Sequence, residues 1–301
     1  MTHKFRKVLR NYDLYLILLP TIVYFLIFEY WPMYGVQIAF KNFLAMKGIW
    51  GSPWVGFDNF LRFFHSFYFW QLIRNTLLIN VYVLIFAFPV PILLALLLNQ
   101  LPSLRFKRFV QTVTYAPHFI SVVVLVGVLS LLLSPNHGPV NNLIQLFGSK
   151  PIFFMADPSW FRTVYIASGI WQTAGWSAII YLAALTSINP ELHESAVMDG
   201  ANKFRRILHI DLPGIMPTVT ILLILNIGSF MTVGFEKVYL MQNPLNISAA
   251  EVIQTHVYKT GLLQGKYSFA TAIGLFNSVI NLILLVSINK ILKRMGKSSL
   301  W

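Results

Sequence analysis

Apolar residues gather along this chain into six long runs, at residues 14–30, 70–98, 109–133, 161–188, 214–235 and 268–292. Each reaches or approaches the roughly 20 residues a helix needs to cross about 30 Å of hydrocarbon. The first run ends on Tyr30, Trp31 and Tyr34, aromatics of the kind that sit at a membrane interface. Pro89 and Pro91 fall inside the second and predict a kink there. One separating stretch, residues 189–213, carries its own helix signals. Asn189 suits an N-cap, Pro190 the first helical position and Glu191 the first turn. Gly200 can end that helix in a left-handed conformation. Residues 201–210 are long enough for a second short helix, which Pro213 closes before the next run. The pattern predicts an all-α, polytopic membrane protein of six transmembrane helices, with a helix–bend–helix held at a membrane surface.

Composition agrees. Of 301 residues 56% are hydrophobic and only 11% charged, against about 25% charged in a typical soluble domain. The net charge of +13 would suggest nucleic acid in a soluble protein, but no basic-aromatic patch falls in a soluble region. The basic residues mark topology instead. Short segments hold Lys4, Arg6, Lys7, Arg10, Arg105, Lys107, Arg108, Lys203, Arg205, Arg206, Lys290, Lys293, Arg294 and Lys297. The remaining nine are spread over longer segments, among them residues 35–69 and 236–267. By the positive-inside rule both termini and the 189–213 loop face the cytoplasm. The organisation expected is a cytoplasmic segment at 1–13, a six-span domain at 14–292 and a basic tail at 293–301. The first run lacks a small-residue cleavage site and reads as a span rather than a cleavable signal. With no cysteine, disulfides and thiolate metal sites are excluded.

Chemistry is sparse. Neither Gly261–Tyr267 nor Gly296-Lys297-Ser298 has the spacing of a phosphate-cradling loop, so any ATP must act through a partner. The seven histidines form no metal set, and Glu29 and Glu236 only approach span ends. Polar uncharged residues within the runs say more. Gln172, Thr173 and Trp176 fall on one helical face; Asn226, Ser229 and Thr232 recur at i, i+3, i+6; Asn277 and Asn281 are one turn apart. Such residues either bond helix to helix or meet a neutral polyhydroxylated solute, whose hydroxyls need partners and whose C–H faces stack on rings.

The polar stretch resembles the Glu-Ala-Ala loop of permease subunits in binding-protein-dependent ABC importers. It reads Glu194-Ser195-Ala196, Asp199-Gly200-Ala201, then Ile210 and Leu212-Pro213, with Ser195 the one departure from the pattern. Residues 34–43, Tyr-Gly-Val-Gln-Ile-Ala-Phe-Lys-Asn-Phe, are similar to the polysaccharide and oligosaccharide branch, the aldouronate- and alginate-type permeases. The resemblance implies a type I importer half in the bacterial cell membrane. Glu194 to Pro213 would be the coupling element docking on a cytoplasmic ATPase, with Gly200 as its bend. By correspondence with the maltose-type permeases, Gln172, Thr173, Trp176, Ser229, Thr232 and His118 would contact sugar.

On this reading the chain itself catalyses no covalent step and binds no cofactor; ATP and Mg belong to two ATPase subunits. A second homologous permease, in a heterodimer, and an external solute-binding protein complete the set. The external 35–69 and 236–267 segments would meet that binding protein. The alternative is a secondary transporter or channel for a neutral solute. It calls for inverted repeats or intramembrane charges, and neither is seen in the sequence. A structural membrane anchor is a third reading.

Overall fold

Helices form along all six apolar runs, and the departures from simple spans fall at Pro, Gly and wide turns. The computed structural model describes residues 12–296 and 299–300. Residues 1–11, with Lys4, Arg6, Lys7 and Arg10, and Lys297 of the tail lie outside the described residues. Among those described the regular structure is all helical, apart from an isolated pairing of Lys41 with Trp54. Four helices are long and apolar enough to cross a membrane: α1 (Tyr12–Phe40), α3 (Phe69–Asn99), α9 (Lys203–Gly228) and α11 (Tyr267–Arg294). A bent pair, α4 (Leu104–Phe119) and α5 (Val122–Leu132), is long and apolar enough only when its two halves are taken together. The fourth run forms α7 (Pro158–Thr186), 29 residues and about 43 Å long at 1.5 Å per residue. Shorter helices are α2 (Asp58–Phe64), α6 (Pro139–Leu146), α8 (Pro190–Met198) and α10 (Phe235–Met241).

The helices differ in detail from the expected spans. The first helix does not stop at Tyr30; it continues through a π turn at Leu26–Tyr30 and tightens to a 3-10 turn over Tyr34–Phe40. In the second span the prolines follow a π turn, Val83–Ala87, where the Phe88 N–H reaches back to the Val83 carbonyl at 2.9 Å. The third span is not one rod. Pro117 lies in a 3-10 turn, Ser121 caps a new helix by accepting from the Val124 N–H, and the two halves cross at 101°. The fifth helix begins earlier and ends earlier than its apolar run. A π turn at Ile207–Asp211 opens the backbone ahead of Pro213, so the ring enters without ending the helix. No separate short helix closes at Pro213.

At its far end α9 stops at Gly228, and residues 229–234 are not helical. Side chains there replace the lost ladder. Asn281 Oδ1 accepts from the Met231 N–H at 2.7 Å, and Gln254 Nε2 donates to the Met231 carbonyl at 2.7 Å. Asn226, Ser229 and Thr232 therefore do not share the helical face expected of them.

Contacts divide the chain into two units, residues 1–65 with 257–275 and residues 66–256 with 276–301. In the first unit none of the apolar window of α1 is buried, so its covering comes from lipid or another chain. There Lys41 is itself buried, its ammonium donating to the Ile49 carbonyl at 2.7 Å and lying 4.8 Å from the Trp54 ring centre. Asn59 donates to the Ala39 and Lys41 carbonyls. Residues 34–43 thus contribute a tightly tied turn.

The second unit is built around α7. Its buried face, from Phe161 and Val164 to Tyr181 and Leu185, packs against α3, α4 and α9. Two apolar clusters result, one around Phe161, Phe154 and Val238, the other around Ala178, Leu96 and Ile215. At Gly175 α7 approaches α4 so closely that a Cβ there would fall on the Thr114 carbonyl. Small residues permit such backbone approach between membrane helices.

Candidate functional site

The 189–213 stretch folds as its local signals dictate. Asn189 Oδ1 accepts from the Glu191 N–H at 3.1 Å and Pro190 occupies the first turn of α8. Gly200 sits at φ +76°. The Gly200 N–H bonds the Val197 carbonyl at 3.0 Å and the Ala201 N–H bonds the Ala196 carbonyl at 2.8 Å, the paired closure of a left-handed helix end. Asn202 Oδ1 then accepts from the Arg205 N–H and starts α9. The bend is thus between α8 and the long α9, so α8 is attached directly to the fifth span.

α8 buries none of its residues. Glu194, Ser195 and Asp199 are exposed, and so are the apolar side chains Leu192, Val197 and Met198, the last at 87%. Phe204 and Leu208 continue that surface onto α9. An exposed apolar row flanked by Glu191, Glu194 and Asp199 is the composition of a docking face. Ile210 and Leu212 are half-buried, while Pro213 is exposed.

One connection beneath this loop was not expected from sequence. Asp211, in the π turn, has no exposed surface. Its Oδ2 accepts from Gln100 Nε2 at 2.8 Å, and His193 Nε2 of α8 lies 3.3 Å from Oδ1, poorly aligned for a full hydrogen bond. The carboxylate thereby joins α8, the start of α9 and the end of α3. The only signal in sequence was an acidic residue between Ile210 and Leu212.

The positions expected to meet solute separate into groups. Gln172 is buried and donates to the Ile120 carbonyl at 2.9 Å, holding the α4–α5 corner to α7. Trp176 stacks on His118 with ring centres 4.6 Å apart and planes 3° from parallel, and Phe119 meets it edge-on at 5.8 Å. Trp176 is still 45% exposed, so a ring face remains for a ligand. Thr173 points elsewhere. It lines a cavity of about 210 Å³ with Ser177, Tyr181 and Asn226, against the π turn of α3. Ser229 bonds its own chain, and Thr232 accepts from Asn281 Nδ2 at 3.1 Å, so both belong to the end of α9 rather than to the Trp176 shelf.

A further polar group lies one to two turns along α7 from Gln172. Lys237 of α10 is only 8% exposed. Its ammonium donates to the Tyr165 carbonyl at 2.9 Å and sits 4.7 Å from that residue's ring centre. Burial pushes its pKa down to about 8. By sequence it is one of the dispersed lysines of the 236–267 segment. Among the described residues no three His, Asp or Glu side chains come together as metal ligands.

Comparison with known proteins covers nearly the whole chain. Residues 87–297 match the family described as binding-protein-dependent transport system inner membrane component. Protein LplB of Bacillus subtilis (strain 168) is 46% identical over 292 residues, 97% of this chain and 92% of that protein. The polygalacturonan/rhamnogalacturonan transport system permease protein YteP of the same organism is 45% identical, over 98% of this chain and 92% of its own. Among solved structures, a chain of a bacterial ABC transporter involved in the import of the acidic polysaccharide alginate superposes with a TM-score of 0.91. It is 43% identical, with 98% of this chain and 100% of that chain covered.

Proposed function

We propose a function from one premise: the chain belongs to the family of inner membrane components of binding-protein-dependent transport systems. It is a multi-pass membrane permease subunit of an ABC importer, with the all-α type I permease fold. A carrier or channel needing no ATPase finds no support: the solved structure 43% identical over 98% of this chain belongs to an ABC transporter.

The cargo proposed is an oligosaccharide or polysaccharide fragment. Supporting it are the full-length relatives, one named for polygalacturonan and rhamnogalacturonan and one structural neighbour for alginate. The aromatic shelf of Trp176 and His118 fits the C–H face of a sugar ring. A second crystal structure of the alginate transporter holds a pentasaccharide-bound periplasmic protein, and a soluble binding protein is the delivery partner proposed here. A second permease and two ATPases, which would bind ATP and Mg, complete the assembly, with both termini cytoplasmic.

The observation that carries the mechanism is the form of residues 189–213. α8 buries none of its residues, ends at a left-handed Gly200 and is joined to α9 by residues 199–202 alone. A helix so placed passes on a push from an ATPase groove as a rigid movement of the fifth span. Alternating access follows when ATP-driven closure moves α8 and α9 relative to α3, with Asp211 at the joint. The test is purification of the chain with its associated subunits and reconstitution in liposomes. The expected result is ATPase activity raised by a glycan-loaded binding protein and uptake of that glycan. Glycan uptake with no ATPase subunit present would overturn the proposal.

A further inference from the structure

Lysine is among the residues least often fully buried, and a buried ammonium without a counter-ion is costly. Lys237 is such a residue. Among the described residues it pairs with no carboxylate. Its single hydrogen bond is to the Tyr165 carbonyl, with the Tyr165 ring beneath. An ammonium has three donors, so two remain for a ligand. Gly169 leaves room for the head group, since a Cβ there would come within 3.3 Å of the nitrogen. Tyr165, Gly169, Gln172 and Trp176 follow one another at helical spacing on one side of α7. Lys237 therefore stands two turns, about 10 Å, along α7 from the Trp176 shelf.

A face that offers a ring platform and, two turns away, an uncompensated cation matches a sugar chain carrying carboxylates better than a neutral one. We propose that Lys237 is a specificity-determining residue that takes the carboxylate of a uronic acid unit on the glycan path. This rests on the importer function proposed above and narrows its cargo to acidic oligosaccharides. The ammonium replaces part of the hydration the carboxylate loses on entering, and its bond to the Tyr165 carbonyl fixes its position. A neutral glycan gains nothing from it and leaves the charge unpaired.

The groups facing Lys237 that could modulate its charge are few. α7 brings Tyr165, α5 carries no titratable side chain, and α10 itself holds Glu236, which is exposed, and Tyr239. With its pKa near 8, Lys237 is charged below that pH and loses its proton as pH rises through it.

The experiment uses the reconstituted complex, its binding protein and an oligogalacturonide as the acidic probe, and reads maximal stimulated ATPase. Lys237→Gln keeps a donor for Tyr165 and removes the charge; Lys237→Arg keeps both. The expected result is a loss of roughly 10-fold or more in Lys237→Gln and near wild-type stimulation in Lys237→Arg. With loaded binding protein below saturation, wild-type stimulation should also fall as pH rises above about 8, and Lys237→Arg should fall less. Full stimulation in Lys237→Gln, an equal loss in both variants, or identical pH profiles for wild type and Lys237→Arg would overturn the assignment. The pH comparison decides if Lys237→Gln fails to assemble. A wild-type complex driven only by neutral glycans overturns the Lys237 assignment alone; one that no loaded binding protein stimulates overturns the importer reading with it.

Discussion

The ring of His193 and the buried carboxylate of Asp211 meet at 3.3 Å, and through them the exposed helix α8 is joined to the base of the fifth span. Gln100 holds the other carboxylate oxygen at 2.8 Å, so three elements converge on one side chain. Asp211→Ala takes the acceptor from the half-buried Gln100 amide and leaves His193 without its partner. Loss of such partners costs about 1–3 kcal/mol. We expect a lower unfolding temperature for the complex in detergent and a larger loss in stimulated than in basal ATPase. Asp211→Asn, which can still accept from Gln100, should fall between.

Gly175 predicts a packing failure. The Cβ of Gly175→Ala would strike the Thr114 carbonyl, backbone that cannot rotate away, so α4 and α7 must part. Overpacking of this kind costs about 1–3 kcal/mol. Expression yield and thermal stability should both drop. Gly274, where a Cβ meets nothing within 4 Å, serves as the control position, and Gly274→Ala should leave both unchanged.

Asn281 predicts a defect in transport out of proportion to folding. Its side chain accepts from the Met231 N–H and donates to Thr232 Oγ1, fixing the irregular end of α9 that leads to Lys237. In Asn281→Ala the buried Met231 N–H loses its acceptor, a cost of about 1–3 kcal/mol. Glycan uptake by the assembled complex should fall while its subunit composition stays intact.

Trp176 predicts an effect on glycan handling. Removal of its ring in Trp176→Ala forfeits an aromatic contact worth about 0.5–1.5 kcal/mol. The concentration of loaded binding protein, or the maximal rate it drives, should worsen by roughly 3- to 10-fold. Trp176→Phe should retain part of the function. Equal activity in Trp176→Ala would remove the shelf from the glycan path.

Elements fixed by local chemistry were legible in the sequence. Asn189, Pro190 and Gly200 are the cap, first-turn residue and left-handed stop that α8 uses, because capping is decided within a few residues. The apolar runs likewise gave the long helices. What escaped was set by distant partners. Residues 229–234 include Phe230, Met231 and Val233 and read as more span; only Asn281 and Gln254, far along the chain, hold them out of a helix. The corner at Pro117–Ser121 was masked by apolar residues on both sides. Gln172, Thr173 and Trp176 share a helical face by their spacing, yet α7 is surrounded, and Gln172 and Thr173 meet different helices. Lys237 and Asp211 carried no local mark of burial at all.

Gly200 offers the most direct test of the account. No atom lies within 4 Å of where its Cβ would be, so a side chain there fits in space and is opposed only by φ +76°. Gly200→Val, with a β-branched residue in the left-handed region, is strained by about 1–2 kcal/mol or more. The change should re-aim α8 without disturbing the packed spans. The measurement is ATPase stimulation by glycan-loaded binding protein in the reconstituted complex. Gly200→Val is expected to abolish stimulation while the complex still assembles in the membrane; wild-type stimulation in that variant would contradict a coupling role for α8.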